Sequence, residues 1–169
     1  LKIIGYYFWG GYWGYNPPLN LKKQKLKIII SRTDGIGDLV LSIPSFYMLR
    51  KMYPTCDLTL LVNNYNVDII KHLPYIDRYI VCNKNDCNKD VIDKLKNLKP
   101  DIFIALWSDK YLYNIIRQCK CNINIGPLSH FRSLYTFNYG IIQKRSYCKK
   151  NEAEYNLDII KYLNPTLFS

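Results

Sequence analysis

Acidic and basic side chains capable of chemistry are concentrated in the segment 31–38, which reads SRTDGIGD. A carboxylate such as Asp34 or Asp38 can accept a proton as a general base. A guanidinium such as Arg32 can bind a phosphate or a carboxylate through paired N–H groups. Gly35 and Gly37 allow a tight turn and a close approach of the backbone to a ligand. An Asp just inside a helix start is also a common helix cap, so the residues alone leave a purely structural role for Asp38 open.

The spacing of the two glycines excludes two familiar nucleotide-binding motifs. In a GxGxxG dinucleotide fingerprint that started at Gly35, the third glycine would fall where Val40 stands. No Gly-Lys-Ser/Thr triplet follows, so the segment is not a P-loop either. The segment therefore indicates a turn that favours an anion at the start of a helix, with carboxylates beside it.

Further polar side chains follow the fourth and fifth predicted strands. Ser108 and Asp109 follow the fourth strand, and His130 and Arg132 follow the fifth. Because ligands of open parallel sheets bind beyond the carboxyl ends of the strands, we expect Ser108, His130 and Arg132 to contact a substrate. Helix capping is the alternative role for Ser108 and Asp109, since both residue types are favoured at that position.

Strands and helices that alternate from residue 26 onwards must position these side chains. Short apolar, β-branched runs predict buried strands at residues 26–31, 57–62, 77–82, 102–106 and 122–126. Apolar residues at helical spacing predict helices at residues 36–52, 67–72, 89–98, 109–119 and 151–163. Pro44 predicts a kink or a broken hydrogen bond in the first helix, and residues 127–150 are interpreted as loop. The alternation indicates an α/β, Rossmann-like fold with a mainly parallel sheet and flanking helices.

Composition and charge bound the class of protein. The chain has 169 residues, of which 49% are apolar and 22% charged, which fits one globular domain and excludes wholesale disorder. A formal net charge of +11 favours an acidic partner, namely nucleic acid, an anionic membrane face or a phosphorylated substrate. AT-rich codon usage is an equally simple source of the excess lysines. The six cysteines are scattered and show no zinc-ligand spacing, so we expect free thiols and no metal site.

The first 25 residues are set apart as a tail that precedes a domain at residues 26–169. The tail is rich in Gly, Tyr and Trp, residue types that suit a membrane interface. Packing of this tail on its own domain is the alternative. No stretch of 18 strongly apolar residues occurs, so a membrane-spanning helix is not expected.

The run from residue 27 to 62 resembles the opening of the ADP-heptose:lipopolysaccharide heptosyltransferases. That family begins with a strand, a loop ending in Gly-Asp, a helix with a Pro after several apolar residues, a Tyr-Pro pair and a second strand. These features stand here at residues 27–31, 37–38, 41–44, 53–54 and 58–62. Looser matches follow at residues 73–78, 99–102 and 123–126, with Asn124 in place of the family's Arg. The resemblance covers roughly residues 26–163.

This resemblance implies the amino-terminal, acceptor-side half of a GT-B enzyme of glycosyltransferase family 9. The expected activity is transfer of heptose or a similar sugar, with inversion, from an ADP-linked nucleotide-sugar to a lipopolysaccharide-type glycolipid. Asp38 takes the place of the family's general base, and the substrate-binding positions of the same loop are Arg32, Thr33, Asp34, Gly35 and Gly37. Gly35 stands where the family often carries a larger residue. No metal and no cofactor other than the nucleotide-sugar are implied.

The resemblance also sets expectations about context. The donor-side half is absent from this sequence, so we expect a truncated chain that is weakly active or inactive alone, or that needs a partner chain. The family works in the cytoplasm of bacteria during cell-envelope biosynthesis. The resemblance therefore implies a cytoplasmic location for this chain, with peripheral contact with the inner membrane as a further expectation.

Two rival functions remain open at this point. One is a non-catalytic α/β module that binds an acidic glycan or lipid, in which Asp38 merely caps a helix. The other is a basic nucleic-acid-binding domain, in which aromatic and cationic side chains interleave on one surface. The segment that suggests such a surface contains Tyr135, Phe137, Tyr139, Lys144, Arg145, Tyr147, Lys149 and Lys150. A loop that packs its aromatic rings inward and solvates its lysines is the favoured interpretation of that segment.

Overall fold

The computed structural model describes residues 25–83 and 88–164. Its strands are β1 (Lys27–Arg32), β2 (Asp57–Val62), β3 (Arg78–Val81), β4 (Ile102–Ala105), β5 (Ile123–Pro127) and β6 (Tyr139–Ile141). Its α-helices are α1 (Ile36–Val40), α2 (Ile43–Met52), α3 (Val67–Ile70), α4 (Asn88–Leu98), α5 (Lys110–Cys119), α6 (Ser133–Thr136) and α7 (Glu152–Lys161). The predicted tail, apart from Lys25, lies outside the described residues, and so does Cys87.

The six strands form one parallel sheet in the order β3-β2-β1-β4-β5-β6. Central strand β1 pairs with β2 in the register Lys27↔Asp57 and with β4 in the register Ile28↔Ile102. The chain therefore builds outward from β1 on one side and then crosses to the other side at β4. In open α/β sheets, this reversal of strand order opens a crevice beyond the carboxyl ends of the two central strands. The predicted α/β, Rossmann-like fold is confirmed.

Apolar residues of β1 are buried on both faces of the sheet, as expected for a central parallel strand. Successive side chains of a strand point to opposite faces, so Ile28 and Ile30 join a core with α1, α2 and α7. Ile29 lies in the second core, beneath α4 and α5. Both faces of the sheet are thereby covered by helices, and the carboxyl edge of β1 is held between them.

The predicted helix at residues 36–52 is divided in two at Leu41 and Ser42. The Ser42 hydroxyl donates to the carbonyl of Asp38 at 2.7 Å, which closes α1 after little more than one turn. Pro44 then occupies the first turn of α2, where its missing N–H breaks no helical hydrogen bond. The proline thus begins a second helix rather than kinking one long helix.

The segment predicted as loop at residues 127–150 contains α6 and the edge strand β6, which pairs in parallel with β5. Two glycines make room for this packing. A Cβ atom on Gly126 would lie 2.4 Å from the ring of Phe137, and one on Gly140 would lie 2.3 Å from the side chain of Leu128. The prediction missed β6 because its three residues are too short for a periodic signal and Gly140 is unfavourable in strands. Among the described residues, no helix has the length and apolar character needed to cross a bilayer.

Candidate functional site

Asp38 lies at the carboxyl edge of the central strand β1, in the single turn of α1. Its side chain is 42% exposed, and Oδ1 lies 3.3 Å from Nη2 of Arg32. The residue at the helix start, Gly35, has no side chain to cap α1, and within the described residues no backbone N–H donates to the Asp38 carboxylate. Asp38 itself stands in the first turn of α1, where an acidic side chain interacts favourably with the helix dipole. Its position therefore suits a structural role as well as a chemical one. Its carboxylate is anchored on one side and open to solvent on the other.

Arg32, the last residue of β1, is buried among protein groups, with only 1% of its side chain exposed. Its Nε lies 2.7 Å from Oδ1 of Asp34. Its Nη1 donates to Oε1 of Glu152 at 2.9 Å and to Oδ1 of Asn156 at 3.0 Å. The guanidinium that was predicted to bind a ligand is thus occupied by the protein. It holds Asp38 in place from below and ties the loop after β1 to the start of α7.

Asp34 and Thr33 are fixed by the residues that follow β2. The backbone carbonyl of Asp34 accepts hydrogen bonds from the hydroxyl of Tyr65 at 2.9 Å and from Nδ2 of Asn66 at 3.2 Å. The carbonyl of Thr33 accepts from Nδ2 of Asn63. Burial raises the pKa of Asp34, Arg32 opposes that rise, and the nearby charge of Asp38 adds to it. Asp34 is the inner, more enclosed carboxylate of the pair, and Asp38 is the outer one.

Glu152, at the first turn of α7, joins Arg32 to a second arginine. Its Oε1 accepts from Nη1 of Arg145 at 2.6 Å, in addition to its contact with Arg32. Arg145 also donates from Nη2 to the carbonyl of Leu106 at 3.1 Å and to Oε1 of Gln143 at 2.8 Å. Residues from the ends of β1, β4 and β6 and the start of α7 are thereby linked at the carboxyl edge. The two arginines are surrounded by three carboxylates.

An open groove of about 840 Å³ lies next to this network, beyond the carboxyl ends of β4, β5 and β6. Among its lining residues are the predicted side chains Ser108, His130 and Arg132 together with Arg145. His130 and Arg132 are exposed, whereas Ser108 is buried and its hydroxyl donates to the hydroxyl of Tyr113 at 3.1 Å. The structure brings these three together, but the groove lining does not include Asp38. Arg145 connects the groove to the Arg32 network.

The capping expectation holds for one of the two residues after β4. Asp109 is the N-cap of α5, and its Oδ1 accepts from the backbone N–H of Leu112 at 2.9 Å. Ser108 precedes the cap and turns into the protein instead. Neither residue therefore needs a ligand to account for its position. The three-member clusters of His, Cys, Asp and Glu that could hold a metal are absent from residues 25–83 and 88–164.

Sequence reasoning missed Arg145, Glu152 and Asn156 as members of the site. Arg145 was assigned to a possible nucleic-acid surface, and the other two were interpreted only as parts of a helix. Their contact with Arg32 depends on β6 and on the path of the chain between residues 141 and 152. Because no local pattern reports such a long-range contact, the sequence offered no signal that could have found them.

Three of the eight residues in the stretch suggested for nucleic acid are engaged by the protein itself. Phe137 is 2% exposed, Arg145 is held by Glu152, and Lys150 forms an ion pair with Asp158 at 2.6 Å. These side chains are taken up by packing and by ion pairs. Tyr135 and Tyr147 remain 71% and 65% exposed, so the expected inward packing of the aromatic rings holds for Phe137 and not for these two tyrosines.

Comparison with known proteins identifies glycosyltransferases as relatives. No family model matches the sequence. A "putative glycosyltransferase" of Haemophilus influenzae is 28% identical over 138 residues, which are 80% of this chain and 40% of that protein. A structure of the glycosyl transferase family 9 from Veillonella parvula superposes with a TM-score of 0.71 at 20% identity, covering 82% of this chain and 41% of that one.

Two structures from E. coli give the same result. ADP-heptose lps heptosyltransferase II matches with a TM-score of 0.70 at 12% identity, over 80% of this chain and 40% of that one. Heptosyltransferase WaaC with ADP matches with a TM-score of 0.69 at 13% identity, over 82% of this chain and 48% of that one. The resemblance to the heptosyltransferases is confirmed at the level of the fold. The chain spans less than half the length of these relatives.

Proposed function

We propose that this chain is the acceptor-side half of an inverting glycosyltransferase, with Asp38 as the general base. The observation that carries the proposal is the half-exposed carboxylate of Asp38 at the carboxyl edge of the central strand, where the strand order reverses. The relatives that are similar to this chain are glycosyltransferases. Both the topology and the chemistry of the residue therefore favour a reaction at this edge.

In the proposed reaction, the acceptor hydroxyl oxygen attacks the anomeric carbon of the nucleotide-sugar. A C–O bond forms, the bond to the nucleoside diphosphate breaks, and the diphosphate leaves with the electron pair. The proton of the acceptor hydroxyl passes to the Asp38 carboxylate. A positioned carboxylate of this kind contributes about 10²–10⁴-fold to the rate.

Asp38 suits this role better than Asp34. The Asp38 side chain is 42% exposed, against 18% for Asp34. Oδ1 of Asp34 lies 2.7 Å from Nε of Arg32. The backbone carbonyl of Asp34 also accepts hydrogen bonds from Tyr65 and Asn66. Arg32 fixes one oxygen of Asp38 from the buried side, so the carboxylate is oriented before a hydroxyl arrives. Such positioning removes part of the entropic barrier to the reaction.

We extend the proposal to the substrates that the relatives' names suggest. The donor is an ADP-linked heptose or similar sugar, held mainly by the donor-side half of such an enzyme. The acceptor is a lipopolysaccharide-type glycolipid on the cytoplasmic face of a bacterial inner membrane. In the groove beside the site, the exposed Arg132 provides a cation, and the exposed His130 provides an imidazole hydrogen-bonding group, for the acidic sugars or phosphates of such an acceptor.

Transfer by the native protein tests this function. The protein purified from its source cells is sized by intact mass spectrometry, then incubated with ADP-heptose and a heptose-free lipopolysaccharide acceptor. ADP release together with a mass gain of one heptose on the acceptor is the expected result. The contrary result is a protein that contains a donor-side half and binds the acceptor, but neither releases ADP nor adds heptose to the acceptor. That result would favour the non-catalytic glycan-binding module instead.

A further inference from the structure

Two arginines differ from the other four, because they are exposed and have no acidic partner among residues 25–83 and 88–164. Of the six arginines, four form ion pairs, namely Arg32, Arg50, Arg78 and Arg145. Arg117 and Arg132 are exposed and pair with no carboxylate in the described part of the chain. Both line one open depression of about 810 Å³ between α5 and α6, together with the exposed Lys110 and with Asp109, whose carboxylate caps α5. Cations that stay unpaired on one surface indicate an anionic partner.

The two most exposed large apolar side chains of the described residues lie in or beside this depression. Tyr135 lines the depression, and Phe131 lines the adjoining groove of about 840 Å³. Phe131 is 73% exposed and Tyr135 is 71% exposed. Their rings pack on each other in edge-to-face contact, with centroids 5.2 Å apart and planes at 73°. Neither ring belongs to the two apolar cores, so neither is needed to cover the sheet. We name Lys110, Arg117, Phe131, Arg132 and Tyr135 the α5–α6 surface.

An anionic lipid bilayer fits this chemistry better than a nucleic acid does. Successive bases of a single strand stack on ring faces that each base can cover, whereas these two rings stand at 73° and partly cover one another. A bilayer makes no such demand. Aromatic side chains partition into its interfacial region, while neighbouring lysines and arginines are attracted to its anionic headgroups.

We propose that the α5–α6 surface binds an anionic lipid bilayer, with Phe131 and Tyr135 entering the interface and the three cations lying against the headgroups. The choice of a membrane that carries the acceptor rests on the proposed function. Arg132 lines both this depression and the groove beside the candidate site. Docking there would bring the groove, at the carboxyl edge of the sheet, next to a glycolipid held in the same membrane.

Vesicle co-sedimentation of the full chain tests the proposal. The probe is a phosphatidylcholine vesicle with or without about 30% phosphatidylglycerol, at 0.1 M salt. The charge variant is Arg117→Gln/Arg132→Gln, and the aromatic variant is Phe131→Ser/Tyr135→Ser. The matched charge control is Lys51→Gln/Lys99→Gln, since both lysines are exposed near the amino edge of the sheet. Tyr79→Ser, on edge strand β3 at the far side of the sheet, controls for loss of an exposed ring.

The full chain should bind the anionic vesicles and not the neutral ones. Each cation near such a surface contributes about a fivefold change in partitioning, so the charge variant should bind roughly thirtyfold more weakly. The aromatic variant should lose at least about fivefold, because the rings supply the apolar part of the interaction. Both controls should stay within about twofold of the unmodified chain.

Three results would overturn the proposal. One is an equal loss of binding in the Lys51/Lys99 control and in the charge variant. Another is the absence of any binding to anionic vesicles. The third is retention of vesicle binding in the charge variant while binding to a single-stranded oligonucleotide is lost, which would assign the surface to nucleic acid. Asp38→Asn should leave vesicle binding unchanged, so a failure of the proposed catalysis and a failure of this surface can be told apart.

Discussion

Replacement of Arg32 by Met tests whether the buried guanidinium organises the candidate site. Met keeps much of the apolar volume but removes the charge that faces Asp34, Asp38 and Glu152. Removing one partner of a buried ion pair costs about 3–5 kcal/mol. Glu152 keeps Arg145 at 2.6 Å, so the carboxylate left without a cation and largely buried is Asp34. We therefore expect the lower end, about 3 kcal/mol.

This loss should depend on pH with a defined sign. Burial raises the pKa of Asp34 above its ordinary value of 3.8. A carboxyl whose pKa is raised by folding destabilises the folded state at pH values above that pKa. This cost fades as the pH falls through the raised pKa towards 3.8, because the protonated group needs no counter-charge. Arg32 opposes this rise, so its removal should raise the pKa of Asp34 further in the variant than in the unmodified chain. The difference in stability between Arg32→Met and the unmodified chain should therefore be largest at pH 7 and smaller at pH 4.5.

Urea unfolding at both pH values measures the effect, and thermal unfolding should show a decrease in Tm of about 6–12 °C at pH 7. Arg78→Met is the matched control, because Arg78 is half-exposed and its ion pair with Asp57 is worth less than about 1 kcal/mol. A loss below 1 kcal/mol for Arg32→Met, or an equal loss at pH 7 and pH 4.5, would refute the reasoning.

Two other predictions concern packing and thiol reactivity. Gly126→Ala should lose about 1–3 kcal/mol of unfolding free energy, since its Cβ would overlap a buried phenyl ring. A Cβ atom on Gly37 would meet no other atom within 4 Å, so Gly37→Ala should gain up to about 1 kcal/mol of unfolding free energy by restricting the unfolded chain. Urea unfolding measures both variants, and a higher stability for Gly126→Ala than for Gly37→Ala would contradict this packing. Burial raises the pKa of Cys119 and of Cys121 to about 11, so iodoacetamide at pH 8 should modify the exposed Cys148 faster than either. Peptide mass mapping over time checks the order, and equal rates would count against the burial.

The strands and most helices of this protein could be predicted because their signals are local. Runs such as residues 57–62 are apolar and β-branched, and the structure places β2 at those same residues. Asp109 could be anticipated as a helix cap because a cap is read from residue type and position alone. The alternation of these elements was sufficient to predict a parallel sheet, and hence the edge at which Asp38 lies.

The environment of Arg32 could not be predicted in the same way. The sequence indicated only a cation near two carboxylates, which suits a ligand site equally well. Its burial depends on Glu152 and Asn156, more than a hundred residues further along the chain. That contact in turn requires β6, whose few residues include Gly140 and give no periodic pattern. Local patterns located the loop correctly, and long-range packing determined what its arginine does.

The most direct test of the central claim is the turnover number of Asp38→Asn in the native protein, measured as ADP release from ADP-heptose in the presence of saturating acceptor. Asp93→Asn, at an exposed position of α4, is the matched control. If Asp38 accepts the acceptor's proton, its variant should lose about 10²–10⁴-fold in kcat while acceptor binding and the control stay unchanged. A kcat for Asp38→Asn within about twofold of the native value would contradict the assignment of Asp38 as the general base.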